Sequence, residues 1–258
     1  MSDRDADGPA PIVFVGGLHR SGTTLVARLL AEHPDATGLR DTGVPGDEGQ
    51  HLQDVYPPAR LLGGPGRFGR HPDAHLGETS PLIVPRAADR LLAAWAPHWD
   101  REAPTKVEKS PPNLLRFRFL QALFPDAVCV VVRRHPAAVA LATQGLRWTG
   151  RLTPVSSLID HWIHCHRLYE ADRPQLRRVI EVDYEDLIAE PTAQLHRLQR
   201  ACGLSEQPPS IDVSPDPQRA YAERWRTWGR RSGARRRLAP FEAPIRAFGY
   251  DLDDLRAP

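Results

Sequence analysis

The sequence is short of the features that would place it quickly. Its three cysteines, Cys129, Cys165 and Cys202, stand far apart with no CxxC pair, which excludes a disulfide framework. Cys129 sits inside VCVVV and reads as a small buried hydrophobe. No apolar run reaches about 18 residues, so no transmembrane segment is expected. The opening MSDRDADGPA lacks the basic start and apolar core of a secretory signal, and residues 1–10 read as a polar, disordered tail. Neither sign of charge dominates: 34 Lys+Arg against 32 Asp+Glu leave +2, so no nucleic-acid partner is expected. HWIHCH (161–166) has three histidines, two of which could meet on a helix face, but no obvious third acidic or cysteine ligand, so no metal is expected. These absences point to a cytoplasmic protein.

What remains is one large domain over residues 11–258, with 41% hydrophobic residues to build a core. PIVFVGG (11–17) reads as a buried parallel strand, and TTLVARLLAE (23–32) as a helix stopped by His33-Pro34. Residues 38–75 are rich in glycine and proline and give no clear element. A loop that long inside a compact domain points to a segment that is functional or partly helical. Apolar spacing predicts a helix over 80–98 and another over 113–124, with a short strand or extended piece within 103–112 between them. DAVCVVVRRHP (126–136) is a second buried strand, followed by helices from 137 and over 157–169. A short strand covers 179–182 and a helix 191–202, and 208–258 is a proline-rich, then basic C-terminal segment. Strands alternating with helices give an α/β, three-layer P-loop-type fold with a central parallel sheet flanked by helices.

The chemistry concentrates in Gly16-Gly17-Leu18-His19-Arg20-Ser21-Gly22-Thr23-Thr24, between a strand and a helix. Glycines let successive amides turn toward an anion, and the helix start adds free N–H groups with a favourable dipole. Arg20 adds a cation, and Thr23 and Thr24 add hydroxyl donors. The spacing approaches GxxxxGK[ST], with Gly17 and Gly22 in place but Thr23 where the lysine belongs. That substitution argues against an ATP-dependent P-loop kinase, which stays an alternative beside a noncatalytic nucleotide-binding protein.

From Pro11 to about Gly203 the chain resembles the PAPS-dependent sulfotransferase family, in particular its bacterial, carbohydrate and tyrosyl-protein branches. HRSGTTL is similar to that family's 5'-phosphosulfate loop, and VVVRRHPAAVALA to its 3'-phosphate segment. EKSPPN (108–113) and VDYEDLIAEPTAQLHRLQRACGL (182–204) resemble two further family segments. The resemblance implies 3'-phosphoadenosine 5'-phosphosulfate (PAPS) as donor and PAP as product. It implies nucleotide contacts from Gly17, His19, Arg20, Ser21, Gly22, Thr23, Thr24, Arg134 and Tyr184, with Lys109 near donor or acceptor. Where the family carries a serine eight residues after the arginine, Ala142 stands here; Thr143 is the candidate substitute. Arg133 is the alternative to Arg134 if the register slips by one. Physically, PAPS asks for two separated anion sites, and two parallel strand ends on one sheet edge supply them.

Transfer also needs positive charge near the bridging oxygen, for which Arg20 and Lys109 are the candidates, and a base for the acceptor's proton. DTGVPGDEGQHLQDVYP offers Asp47, Glu48, His51 and Asp54. Related carbohydrate and tyrosyl-protein enzymes use a glutamate in this region, which points to Glu48. His51 is the alternative, with a side chain that titrates near neutrality. Trp95, Trp99, Trp148 and Trp162 are candidates for an acceptor cleft or for core packing. The arginine-rich 229–237 stretch is a candidate lid, a 3'-phosphate contact, or a contact with an anionic substrate or membrane surface. The acceptor, with a hydroxyl or an amine, is left open among small molecules, carbohydrates, lipids and peptides, and residues 38–75 are the segment expected to bind it.

Overall fold

The computed structural model describes residues 11–144, 153–229 and 233–255. Residues 1–10, Trp148 and part of the arginine-rich stretch lie outside the described residues. Five parallel strands form one sheet in the order β2-β3-β1-β4-β5. They are β1 (Ile12–Gly17), β2 (Ala36–Gly38), β3 (Thr105–Lys109), β4 (Val128–Arg133) and β5 (Val179–Asp183).

The central strands are apolar on both faces, as covered parallel strands require. On one face Val13, Val15, Val130 and Val132 pack against Val26 and Leu30 of α1 (Thr23–Ala31) and Leu195 and Leu198 of α7 (Pro191–Ala201). On the other, Phe14 meets Trp95 edge to face, 5.9 Å between ring centroids. Trp95 ends α2 (Ala87–Trp95); α3 (Phe117–Leu123), α4 (Pro136–Thr143) and α5 (Val155–Asp172) complete that layer. At the edges the pattern relaxes: Ile180 and Val182 of β5 are buried, while Val179, Glu181 and Asp183 are half-exposed.

Several boundaries differ from the sequence expectation for local reasons. The helix expected over 80–98 begins only at Ala87: Pro81 and Pro85 interrupt the pattern, and Arg86 takes a left-handed conformation with φ 67°. The 113–124 helix is split into a 3-10 turn over Pro111–Leu115 and α3, because two prolines start it. Residues 38–75 form a chain of short 3-10 turns, among them Pro45–Asp47, Gly49–His51 and Phe68–Arg70. Tyr184–Ala189 is a separate short helix, α6. The basic C-terminal segment holds two helices, α8 (Asp216–Gly229) and α9 (Ala234–Ala247).

Candidate functional site

The loop leaving β1 turns sharply into α1. Ser21 N–H donates to the Leu18 carbonyl at 3.0 Å, and Arg20 takes a left-handed conformation with φ 73°. Gly22 caps the helix at φ 101° and lies flat against Tyr184: a Cβ there would come within 2.4 Å of the ring. At Gly17 a Cβ would meet the Val132 carbonyl at 2.5 Å and Ser21 Oγ at 2.7 Å. Glycine is thus required at both positions by contact, and at Gly22 also by conformation. Ser21 Oγ is buried inside this turn and has no hydrogen-bond partner among the described residues. Thr23 is buried and Thr24 exposed at the start of α1, where backbone N–H groups lack intrahelical acceptors. This cradle fits an anion held by amides and hydroxyls.

One strand over, β4 delivers Arg134 to the back of the loop. Its guanidinium stacks on the Tyr184 ring at 4.1 Å and lies 5.2 Å from the Tyr221 ring of α8. Nη1 donates to the Arg20 carbonyl at 3.1 Å, while Nε and Nη2 both donate to the Gln218 side-chain oxygen of α8. Gln218 Nε2 in turn donates to Glu185 Oε1 at 3.1 Å, which also accepts the His135 backbone N–H at 3.0 Å. Burial pushes the Arg134 guanidinium below its usual range and the Glu185 carboxyl above its own. Arg133 is engaged elsewhere, on the Asp183 carboxylate at 3.2 and 3.3 Å. Of the two arginines, Arg134 is the one in contact with the loop.

On the other side of the loop, β3 ends in Lys109. Its ammonium donates to the Gly46 carbonyl at 2.7 Å and to Glu48 Oε1 at 3.3 Å, with both side chains largely buried. His51 Nε2 stands 3.7 Å from Glu48 Oε2, and burial, opposed by the Glu48 charge, lowers its pKa. His19, fully buried against Phe68, is pushed down to about 4 by desolvation, with Glu48 opposing and Lys109, His51 and Arg116 adding to the shift. Glu48, His51, Lys109 and His19 therefore share one electrostatic neighbourhood. Asp47 is committed to the Thr42 hydroxyl at 2.6 Å, and Asp54 to Arg90 at 2.7 Å.

Beneath them lies a support that sequence reasoning missed. Gln50, 1% exposed, donates its backbone N–H to Ser110 Oγ at 2.9 Å and accepts the Ala59 N–H at 2.8 Å. Its side-chain amide donates to Glu48 Oε2. Ser110 Oγ and Asn113 Nδ2 both donate to the fully buried Glu108 carboxyl, each at 2.6 Å. Desolvation pushes Glu108 up to about 7 against those two hydrogen bonds and the Lys109 charge. The EKSPPN segment that flagged Lys109 also carried Glu108, Ser110 and Asn113; Gln50 stands two residues from Glu48 in the sequence.

With this geometry in view, the comparisons with known proteins are decisive. Residues 11–208 match the profile of the Sulfotransferase family. The chain belongs to that family. It is 24% identical over 202 residues to Protein-tyrosine sulfotransferase A of Caenorhabditis elegans, covering 76% of this chain and 51% of that one. It is 26% identical over 169 residues to Nodulation protein NoeE of Sinorhizobium fredii, covering 58% and 36%. The chain thus spans about half or less of these relatives' lengths. In fold it is similar to the sulfotransferase domain of the Synechococcus PCC 7002 olefin synthase, with TM-score 0.55, 21% identity and coverage of 97% and 98%. It is similar also to a sulfotransferase from Alicyclobacillus acidocaldarius, with TM-score 0.51, 17% identity and coverage of 92% and 95%.

Thr143 is buried and lines a small cavity with Leu18, His19, Gly66, Phe68 and His161; neither Arg134 nor Tyr184 borders it. The HWIHCH histidines are structural: His161 accepts the Gly69 N–H at 3.1 Å, His164 bonds the Gly69 carbonyl at 3.0 Å, and His166 stacks on Trp162 at 3.8 Å. Among the described residues no group of three His, Cys, Asp or Glu is placed to hold a metal. None of their helices is long and apolar enough to cross a membrane. Trp95, Trp99 and Trp162 are core residues whose indole N–H groups donate to the carbonyls of Gly49, Val107 and Arg134.

Proposed function

We propose that this chain transfers a sulfuryl group from PAPS to a hydroxyl or amine, with Glu48 as the base. The observation that carries the reading is the Glu48–Lys109 pair at the end of β3, on the opposite side of the β1 loop from Arg134. When bound, PAPS supplies an activated sulfuryl group: its S–O bond to the phosphate breaks as a bond to the acceptor forms, leaving PAP. Gly17, Ser21, Gly22, Thr23 and Thr24 hold the phosphosulfate through amides and hydroxyls, with Arg20 and His19 beside them. Arg134 and Tyr184 serve the nucleotide end, and Thr143 supports the loop through the His19 cavity. Lys109 supplies positive charge and keeps the Glu48 carboxylate aimed, and Glu48 takes the proton released by the acceptor.

His51 offers a second reading for the base. Its lowered pKa keeps the imidazole neutral at pH 7 and able to accept a proton, 3.7 Å from Glu48. Calorimetry with PAP, ADP and ATP tests the donor: micromolar binding of PAP is expected, and magnesium-dependent binding of ATP instead would overturn it. Glu48→Gln is expected to abolish transfer while sparing PAP binding. Full turnover in that variant, with loss in His51→Ala, would pass the role to His51.

A further inference from the structure

A trench of about 250 Å³ starts at Lys109 and runs between α1 and residues 38–47. Its position follows from the strand order. The loop rises from β1, Arg134 and Tyr184 flank it on the β4–β5 side, and the trench lies over β3 and β2 on the other side. A molecule seated there reaches Lys109, which stands 3.3 Å from Glu48, from the side opposite the nucleotide end, as in-line transfer requires.

The lining specifies what that molecule carries. Ala27, Leu39 and Val107 give an apolar surface. The lining carries three cations, Arg28, Arg40 and Lys109, against two carboxylates, Glu32 and Asp47. Asp47 accepts both the backbone N–H and the hydroxyl of Thr42, at 3.1 and 2.6 Å. Glu32 faces Arg40 at 3.6 Å, and Lys109 faces Glu48. Arg28 also lines the trench, one helical turn from Thr24, exposed and with no ion pair among the described residues. The trench therefore offers Lys109, the partner of Glu48, at one end, an apolar middle and, on its wall, a guanidinium with no ion-pair partner among the described residues.

We propose that the acceptor is a small organic acid that bears a hydroxyl: the hydroxyl at Glu48, a short apolar body or ring along the trench, and a carboxylate on Arg28. A volume of about 250 Å³ lies below the range for drug-sized ligands, which favours a compact molecule over a polymer. Arg28 is suited to the role because a guanidinium pairs a carboxylate in a two-pronged geometry. This proposal rests on the sulfotransferase reading above and names its substrate class.

The test uses 3-(4-hydroxyphenyl)propanoate and its neutral amide as matched probes, titrated calorimetrically into the full chain saturated with PAP. The acid is expected to bind about tenfold more tightly than the amide, with a preference that shrinks as salt rises. In Arg28→Ala that preference should vanish, and Arg28→Lys should restore part of it, with PAP affinity unchanged in both. Equal binding of acid and amide, no binding of either, or a preference that survives Arg28→Ala overturns the proposal. Loss of PAP binding by the unmodified chain would instead sink the donor reading, so the two failures are distinguishable.

Discussion

The Gln218 side-chain oxygen accepts both the Nε and the Nη2 hydrogens of Arg134, at 3.0 and 2.7 Å. The third direction of the guanidinium is taken by the Arg20 carbonyl. A residue expected to meet a phosphate thus has its two-pronged face occupied by a carboxamide from α8. Gln218 and a 3'-phosphate would compete for the same donors. Gln218→Leu frees them, so PAP is expected to bind roughly fivefold more tightly, the equivalent of about 1 kcal/mol for one net hydrogen bond. Calorimetry checks it; weaker binding would make Gln218 part of the nucleotide site.

Gly22 provides a steric test of the loop. Alanine there needs a left-handed conformation at φ 101° and pushes its Cβ to 2.4 Å from the Tyr184 ring. Gly22→Ala is expected to cost about 2 kcal/mol or more, and to weaken PAP at least about tenfold as Tyr184 is displaced. Gly203 is the control. Its φ is 77°, but a Cβ would have open space, so Gly203→Ala should cost about 1 kcal/mol and leave PAP untouched. Urea unfolding and calorimetry read the two effects separately.

The buried histidines make the fold sensitive to acid. Burial pushes His19 and His135 down to about 4 and His161 and His166 down to about 3. Near pH 5 each binds a proton when unfolded and none when folded. Their stabilisation is present above about pH 6.5 and is lost as pH falls toward the folded values, by about 2 kcal/mol per histidine at pH 5. Glu108, raised to about 7, has the opposite sign: its contribution is present below about 4.5 and lost as pH rises through 7, so it offsets roughly one histidine. Urea midpoints at pH 7.5 and 5 should fall accordingly, and His166→Leu should reduce the slope by about one proton.

Gln50 tests whether aim matters at Glu48. Its amide donates to Glu48 Oε2 while its backbone is fixed to Ser110. Gln50→Leu is expected to lower kcat by about tenfold or more and to leave PAP binding intact. Gln50→Glu sets a second carboxylate beside the first, so the acid limb of the pH–rate profile should move upward. An unmoved profile with lost stability would reduce Gln50 to packing.

The parts legible in sequence were those that write themselves in short runs. VFVGG and VCVVVRR announce buried strands ending in chemistry, and HRSGTT fills a turn whose glycines are sterically required. Residues 38–75 were opaque because successive 3-10 turns have no repeating period, and β2 spans only three residues. Gln218 left no signal, since its meaning depends on a contact 84 positions away. The start of α2 was overrun because apolar spacing continued through two prolines that backbone geometry does not forgive.

The sheet order has a last consequence, visible on the time scale of amide exchange. β1 is paired along both edges, to β3 and to β4, and its side chains are almost entirely enclosed. Its amides should therefore exchange only through the largest openings of the chain, whereas the 3-10 turns of residues 38–75 and α8 should exchange through smaller ones. The strand under the β1 loop is then the most durable of the described elements, and the turns around it are the replaceable part. On the proposed reading, in which 38–75 binds the acceptor, that segment can be redrawn for new acceptors without disturbing the strand that carries the loop.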